Sequence, residues 1–478
     1  MPYTRFAYLS PIQVEMLRDK VLAFLEGRGV KMDHPEILAL LARAGAKVED
    51  SSGQVRFPKR FVREQLDKTK KAFTLYGRDG TRALPFPHPR GLFYSRSGTG
   101  AMNWIEPDSG AYRRTVLADI AIWGQLMSRL DGVDFVPYIT PTDMPAATAD
   151  IHALKAMLEN TDKHVWVQPY SGESIVYLME LLKAAAGGED RLREKPQASL
   201  ITCSLTPLEF KHMDLEIILQ GARAGVPLFP CSLPTAGTTA PVTGPASVLL
   251  AAIENLTMIV TAQVVSPGIP VVPTSLQFSA DMRTGGSLQS SVEAMRQSAL
   301  FVQLIKEGFG LLAHTYGSGS DSPLIDGQSM IERALLSQHI AASGADILGG
   351  VGQLEVATTV SPLQAVIDSE VMEIVKRLMQ EVNLDDESLG LKVLQACKPG
   401  GEFLTHEHTL THCRETFQPR LFIRKSRNMW ESGEKKDLLQ RAADEYERIM
   451  ASAGPVEMSE SRVTEMQRIV EKADKKLV

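Results

Sequence analysis

The amino-acid sequence predicts an α/β fold, a (β/α)8 TIM barrel with helical additions at both ends. Three observations predict it. Short apolar runs alternate with segments of helical spacing, which implies a parallel sheet. Eight such units lie between Leu92 and Gln380, the number at which a parallel sheet closes on itself. No GxGxxG turn follows the first run, which weakens the alternative of an open doubly wound sheet.

In chain order, residues 1–90 read as a mostly helical layer. Val14, Leu17, Val21, Leu22 and Leu25 recur at intervals of three and four, and Ile37, Leu38, Leu40 and Leu41 suggest a second, short helix. The Asp50–Gly53 stretch marks a turn, Val55 to Phe57 a short strand, and Pro58 opens a helix. PFPHPR at 85–90 has the composition of a rigid linker. The barrel is expected over 91–382. Its strands are expected at 93–97, 133–139, 164–168, 199–204, 227–231, 271–275, 311–315 and 345–349, each followed by a helical segment. Residues 383–478 form a charged helical tail whose runs EKKDLLQRAADEYERIM and SRVTEMQRIVEKADKKL are amphipathic. Their charged sides read most simply as solvated faces; covering the barrel or pairing subunits is the alternative.

Composition narrows the function. With 478 residues, 44% hydrophobic and 23% charged, a large core is available. The net charge of −6 argues against a general nucleic-acid binder. The cysteines, Cys203, Cys231, Cys397 and Cys413, are far apart and form no CxxC pair, which suits a reducing cytoplasm. The start MPYTRFAYLS carries no signal-peptide pattern. The apolar run Ala246–Val265 is interrupted by Glu254, Asn255 and Gln263 and reads as a buried helix rather than a membrane span.

Alternation along the strands indicates which side chains face the mouth. His164, Trp166 and Gln168 share one parity, with Tyr170 just beyond. His314 and Tyr316 share another, and Tyr94 with Arg96, Tyr138 with Thr140 and Ser275 with Gln277 follow the same logic. The seventh and eighth units end in GSGSDS and GGVGQLE, adding Gln353 and Glu355. This mouth is rich in aromatic and neutral polar groups. It has no HxH on a strand, no GxSxG elbow and no nucleophile beside a base, so no metal centre is expected there. His406, His408 and His412 have ligand-like spacing but fall after the barrel, where a structural or capping role is favoured over metal binding. Aromatic side chains in strands are usually core, and a lone Arg is usually an ion-pair partner. Their coincidence at strand ends suits a quaternary ammonium held by cation–π attraction, with Arg96 pairing a carboxylate on the same ligand.

The stretches AIENLTMIVTAQVVSPGIPV (252–271), GSGSDSPLIDGQ (317–328), GADILGGVGQLE (344–355) and HTLTHCRETFQPRL (408–421) together resemble the trimethylamine:corrinoid methyltransferase superfamily, over most of the chain. Trimethylamine-specific members of that family carry pyrrolysine in a loop matching the stretch around Ser318 to Leu324. This sequence has only standard residues there, so it looks like the branch that demethylates quaternary amines such as glycine betaine, proline betaine or carnitine. The resemblance implies methyl transfer to the Co(I) cobalamin of a separate corrinoid protein, with no cofactor held tightly by this chain. Trp166, Gln168, Tyr170, His314, Tyr316, Gln353, Glu355 and Arg96 are then expected to bind substrate. Gly349, Gly350 and Gly352 would admit the corrinoid. A homo-oligomer is expected, and no membrane or nucleic-acid partner. Glu355, or else Glu254, would orient the cation from a distance; Glu254 equally suits a structural role. The rival classes are a non-enzymatic betaine-binding protein and a metal-dependent lyase or hydrolase.

Overall fold

Eight parallel strands close into a barrel in the computed structural model, which describes residues 6–49 and 51–478. Residues 1–5, part of the start read as lacking a leader, and Asp50, read as opening a turn, lie outside the described residues. The strands are β1 (Tyr94–Ser97), β2 (Phe135–Pro137), β3 (His164–Val167), β4 (Ala198–Cys203), β5 (Leu228–Ser232), β6 (Thr274–Ser275), β7 (His314–Tyr316) and β8 (Ile347–Val351). The outer helices are α1 (Leu117–Arg129), α2 (Ala149–Asn160), α3 (Ile175–Ala186), α4 (His212–Ala224), α5 (Gly244–Val265), α6 (Val292–Gln303), α7 (Gly327–Ala342) and α8 (Pro362–Leu378). Closure is direct: β8 pairs with β1, Ile347 opposite Tyr94, and β1 pairs with β2, Arg96 opposite Phe135.

The N-terminal layer is more mixed than its helical spacing suggests. Three helices, Pro11–Gly27, Pro35–Ala44 and Lys59–Asp67, accompany strands Val30–Met32, Lys47–Glu49 and Gln54–Arg56. The sheet is extended by Glu209–Phe210 from the loop after β4. These strands are three residues long, too short for alternation to register in the sequence. The 85–90 stretch is not a free linker. Its first residues form a hairpin, Phe73–Tyr76 with Ala83–Phe86, that closes the amino end of the barrel. Phe86 packs on Tyr94 and Phe135, and the Tyr94 hydroxyl donates to the Pro85 carbonyl at 2.9 Å.

The helix α5 is apolar on every side because it is covered on every side. All three N-terminal helices pack on it, as do α4, α6 and β5. It is long and apolar enough to cross a membrane, with mean hydropathy 1.8, yet 83% of that stretch is buried within the protein. At the other end of the chain, helix Leu438–Met450 packs on α8 and α1, and helix Glu460–Leu477 packs on α3 and α2. Met466, Ile469, Val470 and Ala473 bury the apolar stripe of the last helix. The tail therefore covers the barrel rather than presenting only solvated faces.

Candidate active site

The interior of the barrel is centred on one guanidinium. Arg96, on β1, is fully buried and lies 4.4 Å over the Trp166 ring of β3 and 5.7 Å from the Tyr316 ring of β7. Its Nε donates to His314 Nε2 at 2.9 Å, and one terminal nitrogen donates to the Ser97 carbonyl. Accepting at Nε2 leaves the His314 proton on Nδ1, 3.1 Å from Thr274 Oγ1. Burial, and then the Arg96 charge, hold the His314 pKa well below its ordinary value. The imidazole is neutral, with both nitrogens engaged, so it is not a free base. Burial lowers the Arg96 pKa to about 10, which leaves it charged at neutral pH. Among the described residues no Asp or Glu pairs with it, and its Nη2 is buried without a partner.

Trp166, Phe229 and His314 meet edge to face at 5.6–5.9 Å between ring centres, beneath this cation. Tyr316 stands edge-on to Phe278 at 5.9 Å. Trp166, His314 and Tyr316 therefore do share one cluster, as their parity predicts, but its cationic place is taken by Arg96 itself. On β2 the parity fails. Phe135 faces the interior, and Tyr138 lies past the strand end with its hydroxyl on the Gln168 carbonyl. The strand ends at Pro137, so Tyr138 lies in the loop, where strand alternation no longer sets side-chain direction.

Around this floor is a rim of amides and hydroxyls. Gln168 Oε1 accepts from Thr99 Oγ1 at 3.1 Å, and Gln353 Nε2 donates to the Thr99 carbonyl at 3.1 Å. Gln353 is buried and its Oε1 has no partner. Tyr170, half-buried, shares a 2.6 Å hydrogen bond with Thr140. Gln289, after β6, is buried with both side-chain polar atoms unpartnered, against Gly319 of the loop after β7. Nothing in the sequence signals Gln289.

The two glycine-rich loops are held by a buried ion pair. Asp368 on α8 accepts from Arg333 on α7 at 2.6 Å, Ser318 Oγ at 3.0 Å, the Gly352 N–H at 2.7 Å and Gln364 at 2.8 Å. Arg333 also donates to the Gln353 carbonyl. Glu355, Val356 and Ala357 all have left-handed backbone (φ 51–67°), and the Glu355 and Val356 N–H groups donate to Ser322 and Ser320 carbonyls. Such strain persists only where surrounding bonds enforce it.

Two expectations need correction. Gly349, Gly350 and Gly352 are buried, so they do not open the backbone to a partner. A Cβ on Gly349 would lie 2.6 Å from the Arg96 guanidinium, and one on Gly350 (φ 106°) 1.9 Å from the Ser318 oxygen; on Gly352 it would meet Trp123. They are glycine to admit the protein's own atoms. Glu355 is half-buried and turned to its own loop, accepting from Thr359 Oγ1 at 2.6 Å. Glu254 is wholly buried on α5 and accepts from Ser204, Thr206, Ser232 and the Leu208 N–H, so its role is to fix the loop after β4. His406 caps helix Glu407–His412, its Nδ1 accepting from the His408 N–H. Cys203 and Cys231, 28 positions apart in sequence, are register partners on β4 and β5.

A cleft of about 350 Å³, lined by Pro87, His88, Phe93, Lys306 and Asp346, lies at the opposite, amino end of the strands and has none of these groups.

The chain is 28% identical to the trimethylamine methyltransferase MttB of Desulfitobacterium hafniense (strain DSM 10664 / DCB-2), over 98% of this chain and 94% of that one. It is 27% identical to the glycine betaine methyltransferase of Desulfitobacterium hafniense (strain Y51), over 94% of each. The crystal structure of the Methanosarcina barkeri monomethylamine methyltransferase shares the fold, with a TM-score of 0.54, 14% identity, and coverage of 100% of this chain and 90% of that one. The expectation of an enzyme that transfers methyl groups from amines holds, and the rival classes of passive binding protein and metal-dependent hydrolase fall away. The family model for trimethylamine methyltransferase matches residues 1–477, and the chain belongs to that family.

Proposed function

We propose that this enzyme takes a methyl group from a quaternary amine bearing a carboxylate, of the betaine type, and passes it to the Co(I) cobalamin of a separate corrinoid protein. The observation that carries the reading is the Arg96 guanidinium, buried, charged and without a carboxylate partner, with Nη2 unsatisfied. A buried cation lacking its counter-ion costs several kcal/mol, and an anionic ligand group offsets that cost. A simple methylamine has no such group; a betaine has one.

The chemistry asks for little else. When Co(I) takes the methyl, the C–N electron pair returns to nitrogen and a neutral amine leaves. No proton moves and no enzyme nucleophile is needed. Positive charge on nitrogen falls toward the transition state, so a carboxylate gripping the ammonium would favour the ground state. Carboxylates near the mouth are tied to the protein: Glu254 to the β4 loop, Asp368 to Arg333, Glu355 to Thr359, and Asp150, through Oδ2, to the Tyr170 N–H and Ser174. Tyr170 and the neutral amides of Gln168, Gln353 and Gln289 remain to orient one methyl. Trp166, Tyr170, His314 and Tyr316 belong to this proposed site, His314 as the group that positions Arg96.

Cytoplasmic residence and self-association are part of the same reading. All four cysteines are free thiols. Residues 383–420 contain no buried side chain and expose Leu384, Leu391, Leu404 and Leu410, apolar surface that a second copy would cover.

Incubation with a corrinoid protein reduced to Co(I) and a panel of amines tests the proposal. Methyl-cobalt absorbance should rise with betaines and not with trimethylamine. Turnover of trimethylamine alone, or of no amine, refutes it.

A further inference from the structure

Residues 383–420 fold into helices Asp386–Leu389, Leu391–Ala396 and Glu407–His412 without burying one side chain. Helices of four to six residues are far too short to stand alone in water. Segments that lack a core are commonly fixed by a disulfide or a metal ion. Cys397 and Cys413 are free, so no disulfide does it.

A cluster of ligand-type side chains does join two of these helices. Glu387, His408 and His412 each offer one ligand atom, all within 4.8 Å of one another. The two histidines lie one turn apart on one helix face. Glu387 Oε1 is 3.3 Å from His412 Nε2. Two ligands of a tetrahedral zinc ion, with bonds of about 2.0–2.1 Å, sit about 3.4 Å apart, so this edge is already formed. His408 Nε2 lies 3.2 Å from the Glu387 carbonyl oxygen. The far nitrogen of His412, Nδ1, is 2.8 Å from Glu415 Oε1. A carboxylate in that place is the usual outer partner of a metal-bound histidine, orienting the ring and raising its basicity.

A second cluster shows what a non-site looks like. His34, His212 and Glu216 also approach within 4.8 Å. There the rings stack at 4.4 Å and 19°, so their in-plane lone pairs run parallel and cannot converge. His34 Nδ1 accepts from the Ile37 N–H, which leaves the proton on Nε2, 2.8 Å from Glu216. That group is a hydrogen-bonded link between the N-terminal layer and α4. The rings of His408 and His412 are instead tilted by 43°.

We propose that Glu387, His408 and His412 bind a zinc-class divalent cation, oriented by Glu415, and that the ion staples helix Asp386–Leu389 to helix Glu407–His412. Water or the second Glu387 oxygen completes four-coordination. Both histidines bind as neutral imidazoles, so binding releases protons and weakens in acid.

Full-length protein stripped with chelator and titrated with Zn2+ in a calorimeter should take up one equivalent. The His408→Ala/His412→Ala double variant should lose that equivalent, and Glu415→Gln should weaken it about 10–100-fold. His34→Ala should keep it. Amide exchange over 383–418 should slow with zinc in the wild type and not in the double variant. Absence of a bound equivalent, its survival in the double variant, or its loss in His34→Ala overturns the proposal. The ligands lie outside the buried core, and an unchanged barrel melting temperature verifies that the variants are folded.

Discussion

Arg96→Gln separates a substrate-pairing role from a structural one. In stability, two opposing terms are removed. The variant loses the hydrogen bonds to His314 and the Ser97 carbonyl and a desolvated cation–π contact worth about 2 kcal/mol. It also loses the burial cost of an unpaired cation, again several kcal/mol. The net change is expected to stay within about 2 kcal/mol. In binding nothing cancels. Removing one partner of a buried, hydrogen-bonded charge pair costs about 2–5 kcal/mol, or roughly 30-fold to several thousand-fold in affinity. Calorimetry with glycine betaine should show that loss, whereas tetramethylammonium, which has no carboxylate and is relieved of a like charge, should bind no more weakly than to the wild type. Gly349→Ala asks the same question with the charge retained: its Cβ would stand 2.6 Å from the guanidinium and displace it, so betaine affinity should fall while tetramethylammonium binding holds. Equal losses for both ligands, no loss for betaine, or destabilisation of 4 kcal/mol or more would refute the assignment.

Two further outcomes follow from buried charge. Asp368→Asn leaves Arg333 buried beside the Gly352 loop without its counter-charge and should cost about 3–5 kcal/mol in urea unfolding. The double variant Arg333→Met/Asp368→Leu should cost less than the single change, because no uncompensated charge remains. Acid should destabilise the fold through His164 and His314. Burial lowers the His164 pKa to about 4 and the His314 pKa well below 6.5. Between those values and 6.5 the unfolded chain binds more protons than the folded one, so stability falls as pH falls. His164 alone accounts for about 3 kcal/mol between pH 6.5 and 4. Chemical denaturation across that range should show the decline, and His164→Gln should flatten it.

The barrel is legible in the sequence because its eight apolar runs alternate with segments of helical spacing, and every one of them overlaps an observed strand. The N-terminal strands and the hairpin from Phe73 to Phe86 are not legible, since three or four residues hold at most two repeats of alternation. At the site, parity along β3 and β7 brings Trp166, His314 and Tyr316 to one cluster. It says nothing of Phe229, Thr274 or the Cys203–Cys231 register, which depend on strand stagger. The loop glycines mislead for a physical reason. A missing side chain signals close approach but not by what; at Gly349, Gly350 and Gly352 the approaching atoms are the protein's own.

Placing arginine at the floor of an aromatic cage resolves an electrostatic conflict. A cage lined with carboxylates would hold a quaternary ammonium tightly and oppose the loss of its charge. A cage with one internal cation repels a bare ammonium from the floor and draws in the other end of a zwitterion. In the proposed betaine reading the carboxylate is pulled toward Arg96, and the methyl-bearing nitrogen stands off it, toward the rim of Gln168, Tyr170 and Gln353. Because the His314 ring is neutral and hydrogen-bonded on both sides, Arg96 is kept in place by a group that neither cancels its charge nor offers a base. The same arrangement predicts a substrate order: lengthening the link between carboxylate and nitrogen should push the methyl further out. At a fixed acceptor position kcat should therefore change with linker length more than binding does, and Arg96→Gln should erase that dependence.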